Sequence, residues 1–245
     1  MKKTRSIKMI QIINIIFVGL LVFSTSAISQ RVYFDPMRFD EELALFDVEQ
    51  TETSQPENGV LFIGSSSIRL WSTIKSDLAP LTIIHRGFGG SNMRDALHHI
   101  DKLVIPYKPR AVVLYEGDND LSVFAVTPAV VMQNFELFVE RLRRSLPDTR
   151  LYVLSIKPSI ARMQYWDKMK ATNELLKKRC SEIKACRYID VATPMFLVGE
   201  ESSEGGLKKN IFVEDGIHMN ADGYKIWTDT IKPVLHQFEL QDEAG

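Results

Sequence analysis

Five apolar runs of strand length recur along the chain, separated by longer segments with helical spacing. They cover residues 60–63, 81–84, 111–115, 151–156 and 188–191. Apolar residues fill consecutive positions of these runs, which is typical of strands that are covered on both faces. Helices between such strands imply right-handed crossovers and parallel pairing. The pattern therefore predicts the α/β fold class, as a three-layer α/β/α sandwich around a doubly wound, five-stranded parallel sheet.

Two segments are predicted to be the main covering helices. Residues 127–144 place apolar side chains on one helical face, and Thr127 and Pro128 suit the N-cap and the first turn. Residues 221–238 also have helical spacing, although Pro233 is expected to end or bend this helix. Both segments therefore offer an apolar face that can pack on the sheet.

The first 29 residues have the composition of a targeting segment. A basic start, residues 1–8, is followed by an apolar run over 9–23 and by small and polar residues over 24–29. This order is typical of a secretory signal peptide, and the apolar run is short for a membrane span, which needs about 20 residues. We expect cleavage near Ser29 and export to the periplasm or the medium. An uncleaved N-terminal anchor is the alternative.

Downstream of the signal segment, residues 1–29, the sequence predicts a connecting region and one main domain. Residues 30–58 hold a short surface helix, predicted over 36–49, and a polar linker. The main domain is predicted over 59–240. It contains one insertion with little regular structure, residues 199–210, which is rich in Ser, Glu, Gly and Lys.

The charge balance and the two cysteines limit the classes of partner. The chain has 30 basic and 31 acidic residues, mixed along the sequence, and a formal net charge of -1. It therefore lacks the long-range field with which proteins attract nucleic acid or anionic lipid. Cys180 and Cys186 either close a short ring as a disulfide in an oxidising compartment or stay as free thiols.

Four polar clusters follow predicted strands or precede the last predicted helix. They are residues 64–67, 87–91, 116–120 and 215–218. In open α/β sheets, ligands bind beyond the carboxyl ends of the strands. We therefore expect these clusters to meet at one edge of the sheet.

Two of the clusters carry groups suited to nucleophilic catalysis. A serine hydroxyl becomes reactive where a base takes its proton, and residues 65–67 are serines at a predicted strand-to-helix turn. His218 follows Asp215 by three residues, so the carboxylate can orient one ring nitrogen while the other faces the serine. A helix cap and an incidental surface histidine are the alternatives for each cluster alone. His98 and His99 are expected to face solvent.

The other two clusters offer donors for a developing oxyanion. Gly90 can supply a backbone N–H from a tight turn, and Asn119 a side-chain amide, beside the N–H of Ser66. Taken singly, a turn and an Asx cap are the alternatives. Residues 118–120 also suggest a metal site, but the stretch lacks the further ligands and the closing Glu of a calcium loop, so no metal is expected.

Together and in this order, the clusters resemble the four conserved blocks of the SGNH hydrolase family, also called GDSL-type esterases and lipases. The first block, a strand followed by Gly-Asp-Ser and a later Trp, is similar to residues 62–66 with Trp71. This register implies that Ser66 is the nucleophile, with Ser65 and Ser67 as fallback assignments. Ser65 stands where the family has Asp, a residue that supports the turn and is not part of the triad.

The remaining blocks assign the other roles by resemblance. The glycine turn implies that Gly90 is an oxyanion donor, and Gly-x-Asn-Asp assigns the same role to Asn119. The Asp-x-x-His block implies that Asp215 orients His218 as the base. The resemblance thus implies a flavodoxin-like sandwich, a triad of Ser66, Asp215 and His218, and two-step acyl transfer that needs no cofactor.

The expected function is hydrolysis of carboxylic esters through an acyl-enzyme on Ser66. Export and small size favour short acyl groups such as acetyl, carried by a small molecule or a glycan. A lipase or thioesterase and a non-catalytic glycan-binding module on the same scaffold are the alternatives. Lys157, Arg162 and Trp166 also resemble a subgroup of the family and could line the pocket, although Lys157 and Arg162 are expected to be solvated rim residues.

Overall fold

The fold is built on one parallel sheet. A computed structural model describes residues 35–52, 56–198 and 206–243 of the chain. The strands are β1 (Val60–Gly64), β2 (Ile83–Gly87), β3 (Ala111–Tyr115), β4 (Arg150–Leu154) and β5 (Cys186–Ile189). They pair in the order β2-β1-β3-β4-β5, all parallel. The chain therefore winds outward from β1 in both directions, which confirms the predicted fold class.

Helices flank the sheet. The α-helices are α1 (Asp40–Glu52), α2 (Ser66–Arg69), α3 (Ile74–Asp77), α4 (Met93–His98), α5 (Ile100–Leu103), α6 (Asp118–Ser122), α7 (Pro128–Ser145), α8 (Trp166–Glu182) and α9 (Ala221–Glu239). Short 3-10 helices lie at Pro36–Phe39, Ile105–Tyr107, Ile160–Tyr165, Thr193–Met195, Lys209–Ile211 and Leu240–Glu243. Every residue of β1 and β3 is buried, as the consecutive apolar runs predict.

Predicted and observed elements agree best where the apolar run and the strand coincide. β3 has the predicted bounds, and α7 begins at Pro128 with Thr127 as its N-cap. β2 begins only at Ile83, because Leu81 is buried in the turn before the strand rather than in it. An apolar run in the sequence thus predicts which residues are buried better than it predicts where a strand begins or ends.

Of the two outcomes expected for Pro233, an end or a bend of the last helix, the end is wrong. Helix α9 continues from Ala221 to Glu239 with Pro233 inside it. Proline removes the hydrogen bond to the carbonyl four residues earlier, that of Asp229. Pro233 and Asp229 are both exposed, so water can satisfy this carbonyl. Burial of Trp227, Ile231 and Leu235 on the opposite face holds the helix together.

A cluster of aromatic rings fastens α9 to the segment that follows β1. Trp71 stacks on Tyr224 with ring centroids 5.6 Å apart and meets Trp227 edge-on at 5.9 Å. The Tyr224 hydroxyl donates to the Ser67 carbonyl at 3.1 Å. Truncating one such buried ring to Ala costs about 3–5 kcal/mol of stability. The cluster therefore fixes the start of α9 beside the serine turn.

Helix α1 packs on the second glycine-rich turn. Leu43 is fully buried, and the Phe39 ring meets the Phe88 ring edge-on at 5.0 Å. Glu42 accepts a hydrogen bond from the Gly89 N–H at 2.9 Å. The helix was predicted over 36–49, and its actual α-helical span is Asp40–Glu52.

Several sequence predictions fall on residues outside the described part of the chain. The signal segment, residues 1–29, and most of the insertion at 199–210 belong to this group, and so does part of the linker at 50–58. The predicted boundaries of the segments 30–58 and 59–240 stay predictions. Among the described residues, no helix combines the length and the apolar character that a membrane span requires.

The two cysteines form a disulfide at the edge of the sheet. Cys180, near the end of α8, pairs with Cys186, the first residue of β5, with Cα atoms 5.2 Å apart. Of the two possibilities that the sequence leaves open, the structure has the disulfide. The bond ties the edge strand to the helix that precedes it.

At the amino end of the sheet, charged side chains join the C-terminal segment to the strands. Glu239 is fully buried and accepts two hydrogen bonds from Arg150, both of 2.7 Å. It also accepts one from the Tyr152 hydroxyl, at 2.5 Å. Arg110 lies 3.3 Å from Glu239 and pairs with Glu243 as well. We call these five residues the amino-edge network.

Candidate active site

The serine turn follows β1 directly. Gly64 has φ +157°, and a Cβ atom on it would lie 2.3 Å from the Tyr115 carbonyl oxygen, so the chain can turn this sharply only at glycine. Ser65 is extended and occupies the N-cap position of α2, although its side chain makes no capping hydrogen bond. Ser66 is therefore the first residue of α2, partly exposed at the carboxyl end of the sheet.

Asp215 and His218 meet Ser66 across this edge. Asp215 Oδ1 accepts hydrogen bonds from the N–H groups of Ile217 and His218, at 2.7 and 2.9 Å. Its Oδ2 lies 2.5 Å from His218 Nδ1, and His218 Nε2 lies 2.8 Å from Ser66 Oγ. Because a carboxylate only accepts, Nδ1 carries the proton and Nε2 is free to accept from the serine hydroxyl.

The surroundings of Asp215 favour its ionised form. Partial burial raises the pKa of Asp215, but the hydrogen bonds from the N–H groups of His218 and Ile217 and from the His218 ring outweigh it and lower the pKa to about 2. The Asp215 and His218 side chains are 43% and 27% exposed. The reacting groups therefore lie in an open site rather than in a sealed cavity.

Asn119 lies beside the serine turn, near the start of α6. Its Nδ2 donates to the Ser91 carbonyl at 2.9 Å and to Ser65 Oγ at 3.2 Å. Its Oδ1 accepts from Arg162 at 3.1 Å. Asn119 is 6% exposed, and both its Nδ2 and its Oδ1 therefore have protein atoms as hydrogen-bond partners.

The glycine turn leaves room in front of its backbone. Gly90 has φ +70°, and no atom lies within 4 Å of the place where its Cβ would be. Within the described residues, the backbone N–H groups of Ser66 and Gly90 donate to no protein acceptor. These two donors are thus available to a ligand that enters beside Ser66. The four predicted clusters do meet at one edge of the sheet.

The expectation that Lys157 and Arg162 are solvated is wrong. Lys157 is fully buried and donates from Nζ to the Ile217 carbonyl at 2.7 Å, within the loop that carries Asp215 and His218. Burial lowers the pKa of Lys157. Arg162 has a side chain only 14% exposed and pairs with Asp118 at 2.7 Å. Strand-end cations are usually solvated, but here a loop supplies the Ile217 carbonyl and the start of α6 supplies the Asp118 carboxylate as partners.

Two aromatic predictions also need correction. Trp166 is 6% exposed and packs against Phe196 with ring centroids 5.4 Å apart, so it belongs to the core rather than to an open pocket. His99 is 6% exposed and meets the Phe88 ring edge-on at 6.0 Å, so it does not face solvent. His98, in contrast, is exposed as expected.

Other polar residues at this edge support the turns. Asp120 accepts from the Met93 N–H at 3.0 Å and so caps α4, while Ser91 donates to the buried Glu116 at 2.5 Å. The sequence alone does not reveal these roles, because each depends on a contact between distant segments. Among the described residues, no group of three or more His, Cys, Asp and Glu side chains is arranged to hold a metal ion.

Solved structures with the same fold are numerous. One is a GDSL-like lipase from Bacteroides thetaiotaomicron, with a TM-score of 0.66 and 22% identity, covering 84% of this chain and 98% of that chain. A catalytic mutant of an acetylxylan esterase from Geobacillus stearothermophilus has a TM-score of 0.58 and 14% identity, with coverages of 72% and 94%. A carbohydrate esterase family 3 protein from Talaromyces cellulolyticus also has a TM-score of 0.58, with 17% identity and coverages of 73% and 96%.

A family model makes the relationship more specific than the fold does. Comparison with the curated proteins gives no match. The model of the GDSL-like lipase/acylhydrolase family, however, matches residues 64–226, a range that begins at the serine turn and includes His218. Because this match covers most of the chain and contains all four polar clusters, the chain belongs to the GDSL-like lipase/acylhydrolase family.

Proposed function

We propose that the protein is a serine hydrolase of carboxylic esters, with Ser66 as nucleophile, His218 as general base and Asp215 as its orienting acid. The observation that carries the proposal is the continuous hydrogen-bonded chain from Asp215 through His218 to Ser66, with contacts of 2.5 and 2.8 Å. Both distances lie within the reach that proton transfer requires.

The reaction proceeds in two halves. Ser66 Oγ attacks the ester carbonyl carbon while its proton passes to His218 Nε2, and the carbonyl electron pair moves to the oxygen. The tetrahedral intermediate collapses, the leaving alcohol takes the proton from Nε2, and an acyl-enzyme remains. Water then gives a proton to Nε2 and attacks the acyl carbon. Collapse releases the acid and returns the proton to Ser66.

The oxyanion is stabilised by donors that are fixed before the reaction starts. In this proposal the N–H groups of Ser66 and Gly90 and the Asn119 amide point to the developing charge. The open space in front of Gly90 supports this assignment. The bond from Asn119 to Ser65 Oγ is long, at 3.2 Å, so this hydrogen is the one that the oxyanion recruits. Each such donor contributes about 10²–10³ in kcat.

We propose short acyl groups, such as acetyl on a small molecule or a glycan, as the substrate class. The exposed rim around Asp215 and His218 supports a polar alcohol portion that stays in contact with water. The acetylxylan esterase and the carbohydrate esterase, which share the fold, make the same substrate class reasonable. The Cys180–Cys186 disulfide supports the proposed export, because such bonds persist in oxidising compartments.

A lipase or thioesterase and a non-catalytic glycan-binding module are the competing functions. A binding module has no need for a serine hydroxyl in contact with an oriented imidazole, and retaining this contact favours an enzyme. A lipase acts on long acyl chains, which need a long apolar surface beside the nucleophile.

The test is a series of p-nitrophenyl esters from acetate to long chains, assayed with the mature protein. We expect highest kcat/KM on acetate, loss of this activity in Ser66→Ala, and retention in the matched control Ser67→Ala. A preference for long chains contradicts the proposed acyl length. Activity that survives in Ser66→Ala contradicts the proposed nucleophile.

A further inference from the structure

Arg162 lies between the proposed oxyanion donor Asn119 and a buried carboxylate. One nitrogen of its guanidinium, Nη1, is 3.1 Å from Asn119 Oδ1 and 2.7 Å from Asp118 Oδ1. The Arg162 and Asp118 side chains are only 14% and 7% exposed. The same guanidinium nitrogen is therefore paired with the Asp118 carboxylate and in contact with the Asn119 amide oxygen.

An asparagine amide can adopt two orientations that differ by exchange of its oxygen and nitrogen. With Oδ1 on the Arg162 cation, Nδ2 faces the Ser91 carbonyl and Ser65 Oγ, at 2.9 and 3.2 Å. The reversed amide would place N–H groups against a cation and its oxygen against the Ser91 carbonyl oxygen. Both contacts are repulsive, so the cation selects a single orientation.

Arg162 is itself fixed to the loop that carries the base. It lies in the 3-10 helix Ile160–Tyr165 with backbone angles that depart from helical values, φ −124° and ψ 15°. The preceding residue, Ala161, donates from its N–H to the Gly216 carbonyl at 3.1 Å. The segment that presents Arg162 is thus hydrogen-bonded to the loop between Asp215 and His218.

We propose that Arg162 is a positioning residue that holds the Asn119 amide with Nδ2 toward the serine turn, so that the N–H now bound to Ser65 Oγ can reach the oxyanion. This inference rests on the proposed function. It gives Arg162 no contact with the substrate: its effect passes through Asn119 and appears in the transition state, where the oxyanion carries its charge. Loss of Arg162 therefore lowers kcat and leaves KM nearly unchanged.

The test is a double-mutant cycle with p-nitrophenyl acetate, using Arg162→Met, Asn119→Ala and the double variant. We expect Arg162→Met alone to lower kcat by about 10- to 100-fold, with a change in KM below about threefold. In the Asn119→Ala background the same substitution is expected to lower kcat by less than about twofold, since no amide is left to position. Equal losses in the two backgrounds would overturn the inference.

Two controls separate positioning from general damage. Asp118→Asn removes the ion pair but leaves the contact between Arg162 and Asn119, so we expect a smaller kcat loss than in Arg162→Met; an equal or larger loss contradicts the proposal. Arg141→Met removes an ion pair to Asp101 of 2.6 Å that connects helices without proposed catalytic residues, and kcat is expected to stay unchanged. If Arg162→Met does not fold, Arg162→Lys enters the same cycle, and its loss must likewise vanish without Asn119.

Failure of the proposed function gives a different result. A fluorophosphonate probe labels an activated serine covalently, independently of the substrate. Labelling of Ser66 in the wild-type protein together with equal losses in the cycle overturns only the role of Arg162. No labelling and no ester turnover by the wild-type protein overturns the proposed function, and the role of Arg162 with it.

Discussion

Both ends of the sheet carry buried charged groups. The two ends differ in whether a polar side chain there remains accessible to a ligand. In the amino-edge network, the carboxylate of Glu239 is matched by Arg150, Arg110 and the Tyr152 hydroxyl. At the carboxyl edge, the hydrogen-bonded chain ends at the Ser66 hydroxyl, which is partly exposed. Buried charge by itself therefore does not mark a site. The candidate site is distinguished by a chain of contacts that ends at the proposed nucleophile, beside open space.

The largest expected effect concerns the base at the carboxyl edge. His218→Ala removes the group proposed to take the Ser66 proton, and we expect kcat/KM on p-nitrophenyl acetate to fall by at least about 10⁴-fold. Because the His218 side chain is only 27% exposed and is bonded to Asp215, the free energy of unfolding is expected to fall as well, and kcat/KM is therefore compared per folded molecule. The matched control is His236→Ala, in the last turn of α9, whose first turns lie beside the serine turn; this variant is expected to keep its activity. A loss below tenfold in His218→Ala contradicts the proposed base.

The opposite pattern is expected at the amino edge. Glu239→Gln leaves Arg150 without its buried carboxylate, and we expect the free energy of unfolding to fall by about 3 kcal/mol, as measured by urea denaturation. Under native conditions kcat stays unchanged, since the network does not contact Ser66. A fall in kcat without a fall in stability would break the distinction between the two edges.

Lys157 belongs to the carboxyl edge but, like Glu239 of the amino-edge network, is fully buried. In Lys157→Met, removal of a desolvated cation offsets the cost of the unpaired Ile217 carbonyl, which is about 1–3 kcal/mol. We expect little change in stability but a kcat about tenfold lower, because the loop of Asp215 and His218 loses an anchor. Thermal unfolding and ester kinetics measure the two effects. If Lys157→Met instead loses much stability while kcat per folded molecule is unchanged, Lys157 has a structural role and does not affect the proposed catalysis.

The smallest expected effect is a pH dependence of stability from Asp215. Its pKa is lowered from about 4 in the unfolded chain to about 2 in the folded protein. A carboxylate with a lowered pKa stabilises the fold above its unfolded value, and the contribution is lost as the pH falls from about 4 to about 2. The difference in unfolding free energy between the wild type and Asp215→Asn should therefore shrink over this range. If this difference in unfolding free energy stays constant between about pH 4 and pH 2, the lowered pKa of Asp215 is contradicted.

The sequence predicts the positions of the candidate site better than the contacts that support it. Ser66, Asn119 and His218 can be found because each follows a strand or precedes the last helix, where a parallel sheet gathers functional groups. Their catalytic roles remain proposals. Lys157 and Arg162 were misjudged because their burial depends on loops far away in sequence, whose course no local pattern reveals.

The same limit explains the errors in the fold. Pro233 obeys a local rule for helix ends, but the buried face of α9 overrides that rule. His99 follows a histidine that is exposed, and its own ring is covered by contacts with the rings of Phe39 and Phe88. Periodicity thus predicts which elements exist, whereas tertiary packing decides which individual side chains they bury.

The contact between Glu42 and the Gly89 N–H connects α1 to the glycine turn that carries a proposed oxyanion donor. The family model matches this chain from residue 64 onward, so α1 lies outside the matched range. The carboxylate of Glu42 in α1 nevertheless holds the N–H of Gly89, the residue before Gly90. The rate of the proposed reaction can therefore depend on a helix that supplies none of the groups proposed to move protons.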